Sequence, residues 1–161
     1  MFKQILVPTD FSGPADAALE YARALAATFG STIHVVHVLE APFVTGPLGV
    51  QVFFEEMPEV GMRLFEDART RLRHRAGSTD SRFSIKSEIV GGTSARAIID
   101  YAGERGMDLI VMGTHGRSGL AHLFMGSVAE RVVRSAPCPV LTVREGPAPA
   151  TEGLETTVAA A

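Results

Sequence analysis

Short apolar runs bounded by Gly, Pro, Ser and Asp alternate along this chain with longer stretches in which apolar positions recur at three- and four-residue steps. The alternation predicts a parallel sheet covered by helices, built from five strands and four helices. The first strand falls at Gln4 to Val7. Gly13-Pro14 then opens a helix whose Ala15, Leu19, Ala22, Ala26 and Phe29 share one face before Gly30 ends it. Ile33 to Val38 reads as a second strand, β-branched enough to be covered on both faces, although His34 and His37 interrupt it. Val60, Leu64, Ala68 and Leu72 mark a helix from about Glu59 to Ala76, stopped by Gly77. Phe83, Ile85 and Ile89 indicate the third strand. Thr93 or Ser94 is placed to cap a helix carrying Ala95, Ile98, Ile99 and Ala102, which Gly106 ends. Asp108 to Met112 is the fourth strand. After Ser127 a short helix with Val128, Val132 and Val133 is kept apart by Pro137 and Pro139 from the last strand, Val140 to Val143. The expected architecture is α/β: an open parallel five-stranded sheet with helices on both faces.

Two stretches follow neither period. The connection between Glu40 and Pro58, APFVTGPLGVQVFFEEM, carries apolar residues without regular spacing and is long enough for a lid or a partner surface. Residues from Glu145 onward are rich in Ala, Thr, Gly and Pro with few large apolar side chains, the composition of a disordered tail. The domain is therefore expected to occupy residues 1–144 and the tail residues 145–161.

Composition narrows the function. A chain of 161 residues suits one core without covalent staples, and its one cysteine, Cys138, allows no internal disulfide and reads as a partly buried thiol. The apolar run at the start is too short for a signal peptide, and no later segment approaches the roughly 18 apolar residues of a membrane span. A cytoplasmic protein with no membrane partner is expected. A net charge of −3 argues against a nucleic-acid partner held by bulk electrostatics. The one basic cluster, Arg69, Arg71, Arg73, His74 and Arg75, scatters over more than one helical face and reads as solvated surface. Of the 15 basic residues only Lys3 and Lys86 are lysines.

The segment with chemical content runs from Gly113 to Ser127, GTHGRSGLAHLFMGS. It leaves the C-terminal end of a buried strand and enters a helix, where open α/β sheets place ligands. Its four glycines permit positive φ and let the backbone approach a ligand closely. Ser127 with Glu130 has the spacing of a capping box, so a helix start would aim free amides and a positive dipole end into the loop. A phosphate suits that environment. There is no Gly-Lys-Ser/Thr, which excludes a P-loop, and the spacing is wrong for the dinucleotide fingerprint. Any phosphate would rest mainly on backbone groups, with Arg117 as the nearest basic side chain. His115 and His122 read as solvated loop residues.

The spacing Gly113, two residues, Gly116, nine residues, Gly126-Ser127 resembles the signature of the ATP-binding branch of the universal stress protein family. Asp108-Leu-Ile-Val-Met before the loop, Ser135-Ala-Pro-Cys-Pro-Val140 after it, Ile5-Leu-Val-Pro-Thr-Asp10-Phe-Ser at the start and His37-Val38-Leu39 between them are similar to that family's other landmarks. The resemblance spans residues 1–144. It implies a Rossmann-like fold of the adenine nucleotide alpha hydrolase-like kind and ATP or another adenine nucleotide, with Mg2+ or Mn2+, as ligand. By position it puts Asp10 by the ribose and metal-phosphate region, Pro8 and Thr9 in the nucleoside pocket, and the Val38 backbone at the base. Met112, Gly113, Gly116, Arg117, Gly126, Ser127 and Val128 would surround ribose and phosphates. It also implies a homodimer paired through Val140, Leu141, Thr142 and Val143, a β-branched run able to form an open sheet edge.

A nucleotide-sensing or regulatory module in stress response is the reading these features favour. A slow ATPase or nucleotide-dependent transferase is the alternative. Against transferase chemistry, the first loop reads Pro-Thr-Asp-Phe-Ser where a pyrophosphate loop would carry Ser-Gly-Gly, and no activated nucleophile is visible. A purely structural protein with an empty pocket would have no need of the glycine spacing.

Overall fold

A computed structural model describes residues 2–40, 43–46, 49–52, 58–77, 81–116 and 125–144. Strands β1 (Gln4–Pro8), β2 (Thr32–Leu39), β5 (Ser84–Gly91), β6 (Leu109–Gly113) and β7 (Val140–Val143) form one sheet in the order β5-β2-β1-β6-β7. Every pairing in it is parallel. Helices α1 (Gly13–Phe29), α2 (Pro58–Ala76), α3 (Ser94–Glu104) and α4 (Ser127–Ser135) cover its two faces. The α/β architecture is the expected one, with strand limits moved by a residue or two.

Alternation along each strand divides the core in two. Ile5, Val7, Ile33, Val35, Leu109 and Val111 face α1 and α2, meeting Ala18, Leu19, Ala22, Ala26 and Leu72. Leu6, Val36, Ile110 and Met112 face α3 and α4, meeting Ala95, Ile98, Tyr101, Ala102, Ala129 and Val132. Successive side chains point to opposite faces, and both faces are covered, so the central strands are apolar without a polar period. Fully burying one such aliphatic side chain stabilises the fold by roughly 1.5–3 kcal/mol.

Four features differ from the sequence expectations. The connection after Glu40 contains an antiparallel hairpin, β3 (Phe43–Gly46) with β4 (Gly49–Val52), in which Gly46 pairs with Gly49. On α2, Ala68 and Leu72 are buried, but Val60 and Leu64 are 38% and 43% exposed, so only the C-terminal half of the expected face is covered. Asp108 lies just before β6, where its carboxylate accepts the Lys3 and Gln4 backbone N–H groups at 2.7 and 2.8 Å. Those two N–H groups, Gln4's first, hold the Asp108 carboxyl below its ordinary value and fasten β6 beside β1. Arg75, expected in solvent, is half-buried and bound to α1, as described below. The expected tail, residues 145–161, lies outside the described residues.

His34, in the middle of β2, is buried with its polar atoms matched. Tyr101 donates its hydroxyl to Glu88 Oε1 at 3.0 Å, which leaves the phenol oxygen to accept from His34 Nδ1 at 2.8 Å. Nε2 lies 2.9 Å from Gln4 Oε1, a contact that becomes a hydrogen bond to neutral imidazole when the Gln4 amide turns its NH2 to the ring. Desolvation, with Lys86 and Arg105 nearby and opposed by Glu88, pushes the His34 pKa below 6.5. Burial and the Glu88 hydrogen bond push Tyr101 up to about 12. Because the folded state resists protonating His34 while the unfolded chain takes a proton near 6.5, the unfolded state binds more protons below that value. Stability is therefore expected to be full above about pH 6.5 and to fall as the pH drops toward the lowered folded value. Urea denaturation across pH 5 to 8 checks this: His34→Gln should be less stable than wild type at neutral pH and should show a flatter acid slope. An unchanged slope would remove His34 from the account.

Candidate functional site

Chain order reverses between β1 and β6. From β1 the chain passes to β2 on one side, and β6 returns on the other. Loops leaving the carboxyl ends of β1 and β6 therefore diverge, and an open α/β sheet has a crevice at that point. A cavity of about 470 Å3 occupies it, within the roughly 300–1,000 Å3 typical of small-molecule sites.

The β1 loop supplies Pro8, Thr9 and Asp10 to the lining. Thr9 prolongs the sheet ladder by donating its N–H to Val36 O at 2.8 Å, and its hydroxyl accepts the Phe11 N–H at 3.0 Å. Asp10 Oδ1 accepts both the N–H and the hydroxyl of Ser12, the residue preceding α1. Its Oδ2 lies on the cavity side, only 2.7 Å from where a Cβ on Gly116 would stand. Phe11 has φ of +66°, a left-handed conformation costing about 1–3 kcal/mol for such a residue, yet it is buried. Its ring packs on the His37 imidazole with centroids 4.4 Å apart. His37 donates Nδ1–H to Thr9 O at 2.8 Å and itself lines the cavity.

The β6 loop supplies Met112, Gly113 and Gly116, and the start of α4 supplies Gly126, Ser127 and Val128. Glycine is needed here for space. Gly113, Gly116 and Gly126 do not adopt positive φ, contrary to the sequence expectation, and Gly126 sits at −61°. A Cβ on Gly113 would fall 2.8 Å from Pro14 Cβ, and one on Gly126 would fall 3.3 Å from Thr114 O. The expected capping box at Ser127 is absent. Gly126 occupies the cap position, Ser127 is the first helical residue, and among the described residues no side chain caps the end. The first amides of α4 have no intrahelical acceptor and open toward the crevice, with the positive end of the helix dipole behind them.

Ten of the eleven residues singled out in the sequence thus border one cavity: Pro8, Thr9, Asp10, Val38, Met112, Gly113, Gly116, Gly126, Ser127 and Val128. Arg117 lies outside the described residues. The lining also includes Val36, Ile98 and Ser94, which sequence reasoning missed, although Val36 shares a strand face with Val38 and Ser94 is four residues before Ile98 on α3. Val36, Val38 and Ile98 give the cavity its apolar wall. His115, expected in solvent, is half-buried on the cavity, its Nδ1 2.9 Å from Thr114 Oγ1. At the entrance Ser94 N–H donates to Glu40 Oε1 at 2.8 Å; Ser94 holds the Glu40 pKa below its ordinary value. The cavity joins one apolar wall, one carboxylate and one rim of backbone amides, which is chemistry for a flat apolar group attached to an anion.

The universal stress protein family model matches residues 1–144. Universal stress protein MJ0531 of Methanocaldococcus jannaschii is 33% identical over 146 residues, covering 90% of this chain and 84% of that protein. Among solved structures, hypothetical protein MJ0577 superimposes with a TM-score of 0.76 at 28% identity, covering 91% of this chain and 99% of that one. A universal stress protein in complex with cAMP superimposes with a TM-score of 0.58 at 25% identity, covering 90% of this chain and 98% of that one. With the family model matched over residues 1–144 and a relative 33% identical over 146 residues, the chain belongs to the universal stress protein family.

Proposed function

We propose that this protein binds ATP, or another adenine nucleotide, in the crevice between β1 and β6 and acts as a nucleotide-responsive regulatory module in the cytoplasm. The observation that carries the reading is the meeting of Asp10 with two backbone segments, Gly113–Gly116 and Gly126–Val128, around one cavity whose other wall is apolar. The base would lie between Val36, Val38 and Ile98. The phosphates would meet the amides of the glycine loop and the N-terminus of α4, where backbone donors and helix dipole both favour negative charge. The related structure with cAMP supports an adenine nucleotide as the class of ligand. Among the described residues no helix is long and apolar enough to cross a membrane.

A divalent cation, Mg2+ or Mn2+, fits the reading as a companion of the nucleotide. Asp10 is the carboxylate on this side of the cavity, and among the described residues no group of three or more His, Cys, Asp or Glu side chains converges on a metal by itself. Asp10 and the phosphates would share the ion, whose charge offsets theirs. Titration of ATP by calorimetry should give an affinity about tenfold weaker in EDTA than in Mg2+. Equal affinities would remove the cation from the proposal.

Gly116→Val tests the site. Its side chain would displace the Asp10 carboxylate and fill the space where phosphate meets backbone. Each lost amide bond to a charged group costs about 1.5–3 kcal/mol, so binding should weaken by about two decades. Wild type at 100 times its Kd should gain about 2.7 kcal/mol, or roughly 5–10 °C in Tm. A folded Gly116→Val protein showing the full ATP-induced shift would place the nucleotide elsewhere.

The same reading includes a homodimer. β7 lies at the sheet edge with β6 as its neighbour, and Leu141 on it is 38% exposed. Pairing of two β7 strands across a two-fold would cover that edge. Light scattering at tens of micromolar should report twice the 17.1 kDa chain mass; monomer alone under those conditions would exclude it.

A further inference from the structure

Resting on the nucleotide reading, we infer that Arg71 and Arg75 of α2 are positioning residues for Asp10, holding its loop in the ligand-ready conformation through Phe11. Phe11 stands between Asp10 and Ser12 with φ of +66°, and a strained residue keeps that conformation only when its surroundings hold it. Its ring is gripped by cationic and aromatic partners. The His37 imidazole lies 4.4 Å from it, and the guanidinium carbons of Arg71 and Arg75 lie 4.2 and 5.3 Å from its centroid. Arg75 also grips the backbone: Nη2 donates to Phe11 O at 3.3 Å. The same guanidinium forms a two-point fork with Asp16 on α1, Nε to Oδ1 at 2.6 Å and Nη2 to Oδ2 at 3.1 Å. Arg23 of α1 completes the clasp by donating Nη2 to Arg75 O and Ala76 O, both at 2.9 Å.

These contacts tie the last turn of α2 to the start of α1 across the loop that presents Asp10. Asp10 Oδ1 is held by Ser12 on the far side of Phe11, so the path of the backbone through Phe11 contributes to where the carboxylate stands. Residues some sixty positions away in sequence thus bear on the carboxylate that the nucleotide and its cation would meet. Among the described residues that line the cavity, neither Arg71 nor Arg75 is included, and both reach the Asp10 loop at Phe11. Methionine in their place keeps an apolar stem and removes both the cation and the fork.

A double-mutant cycle on Mg-ATP affinity, measured by calorimetry, separates positioning from general support of the fold. The variant Arg71→Met/Arg75→Met should weaken Mg-ATP by about tenfold in the wild-type background. In an Asp10→Asn background the same pair of substitutions should change affinity less than about twofold, because there is no longer a carboxylate to position. A structural role would instead give the same loss in both backgrounds, and that additivity would overturn the inference, as would an unchanged affinity in the first. If the double variant does not fold, Asp16→Asn, which weakens the fork while leaving Phe11, Arg71 and Arg75 themselves in place, should give a smaller loss with the same dependence on Asp10. Wild type that binds no adenine nucleotide would bring down the nucleotide reading itself, a result distinct from wild type that binds while the arginine variants bind equally well.

Discussion

The in-register parallel pairing of β1 with β2 on one side and β6 on the other governs everything at the site. Ile5 stands opposite Ile33 and Leu109 at once, so all three strands run out at one edge of the sheet. Parallel strands cannot be joined by tight turns, and each must send its chain away over a helix. Where two of these departures diverge, no side chain of the sheet fills the gap. The ladder continues one residue past the strands: Thr9 N–H reaches Val36 O and Thr114 N–H reaches Val143 O. The first residues of both loops are therefore held as firmly as the sheet, whereas the residues beyond depend on side chains and helix ends.

Polar groups inside the fold follow a division of labour between the two faces. On the α3 face, His34, Tyr101 and Glu88 satisfy one another, and Arg105 closes the series with a 3.2 Å contact to Glu88. An unmatched imidazole at that depth would carry the full desolvation cost, so the network is a condition for placing a histidine in a central strand. On the α1 and α2 face the polar contacts gather at one end, around Phe11, where they govern backbone conformation instead of burial. His34 and His37, three residues apart on the same strand, thus belong to different tasks.

What could be read in advance depended on the range of the interactions. Strands and helices were legible because burial on two faces writes apolar runs and four-residue steps into the sequence, as in Leu109 to Met112 or Ala15, Leu19, Ala22 and Ala26. The glycine loop was legible as a feature, but the expected positive φ is absent at Gly113, Gly116 and Gly126; Gly113 and Gly116 yield room to Pro14 and Asp10, and no local pattern shows what a missing Cβ would have struck. The Ser127 capping box failed because Gly126 took the cap position one residue earlier. The β3–β4 pair was hidden in an irregular apolar stretch, although glycines stand at its last pairing, Gly46 opposite Gly49. Arg75 looked solvated because its partners, Phe11 and Asp16, are 64 and 59 residues away and become neighbours only through the fold.

The contact between Gly113 and Pro14 sets a limit on how this crevice can vary. The backbones of β6 and α1 approach so closely there that a single methyl group would collide with Pro14 on both Cβ and carbonyl carbon, at 2.8 and 2.9 Å. That partition has no thickness to spare and no side chain to exchange. The opposite wall is different in kind, because Val36, Val38 and Ile98 border the crevice with side chains. One side of the crevice is therefore shaped by main-chain contact and the other by side-chain volume.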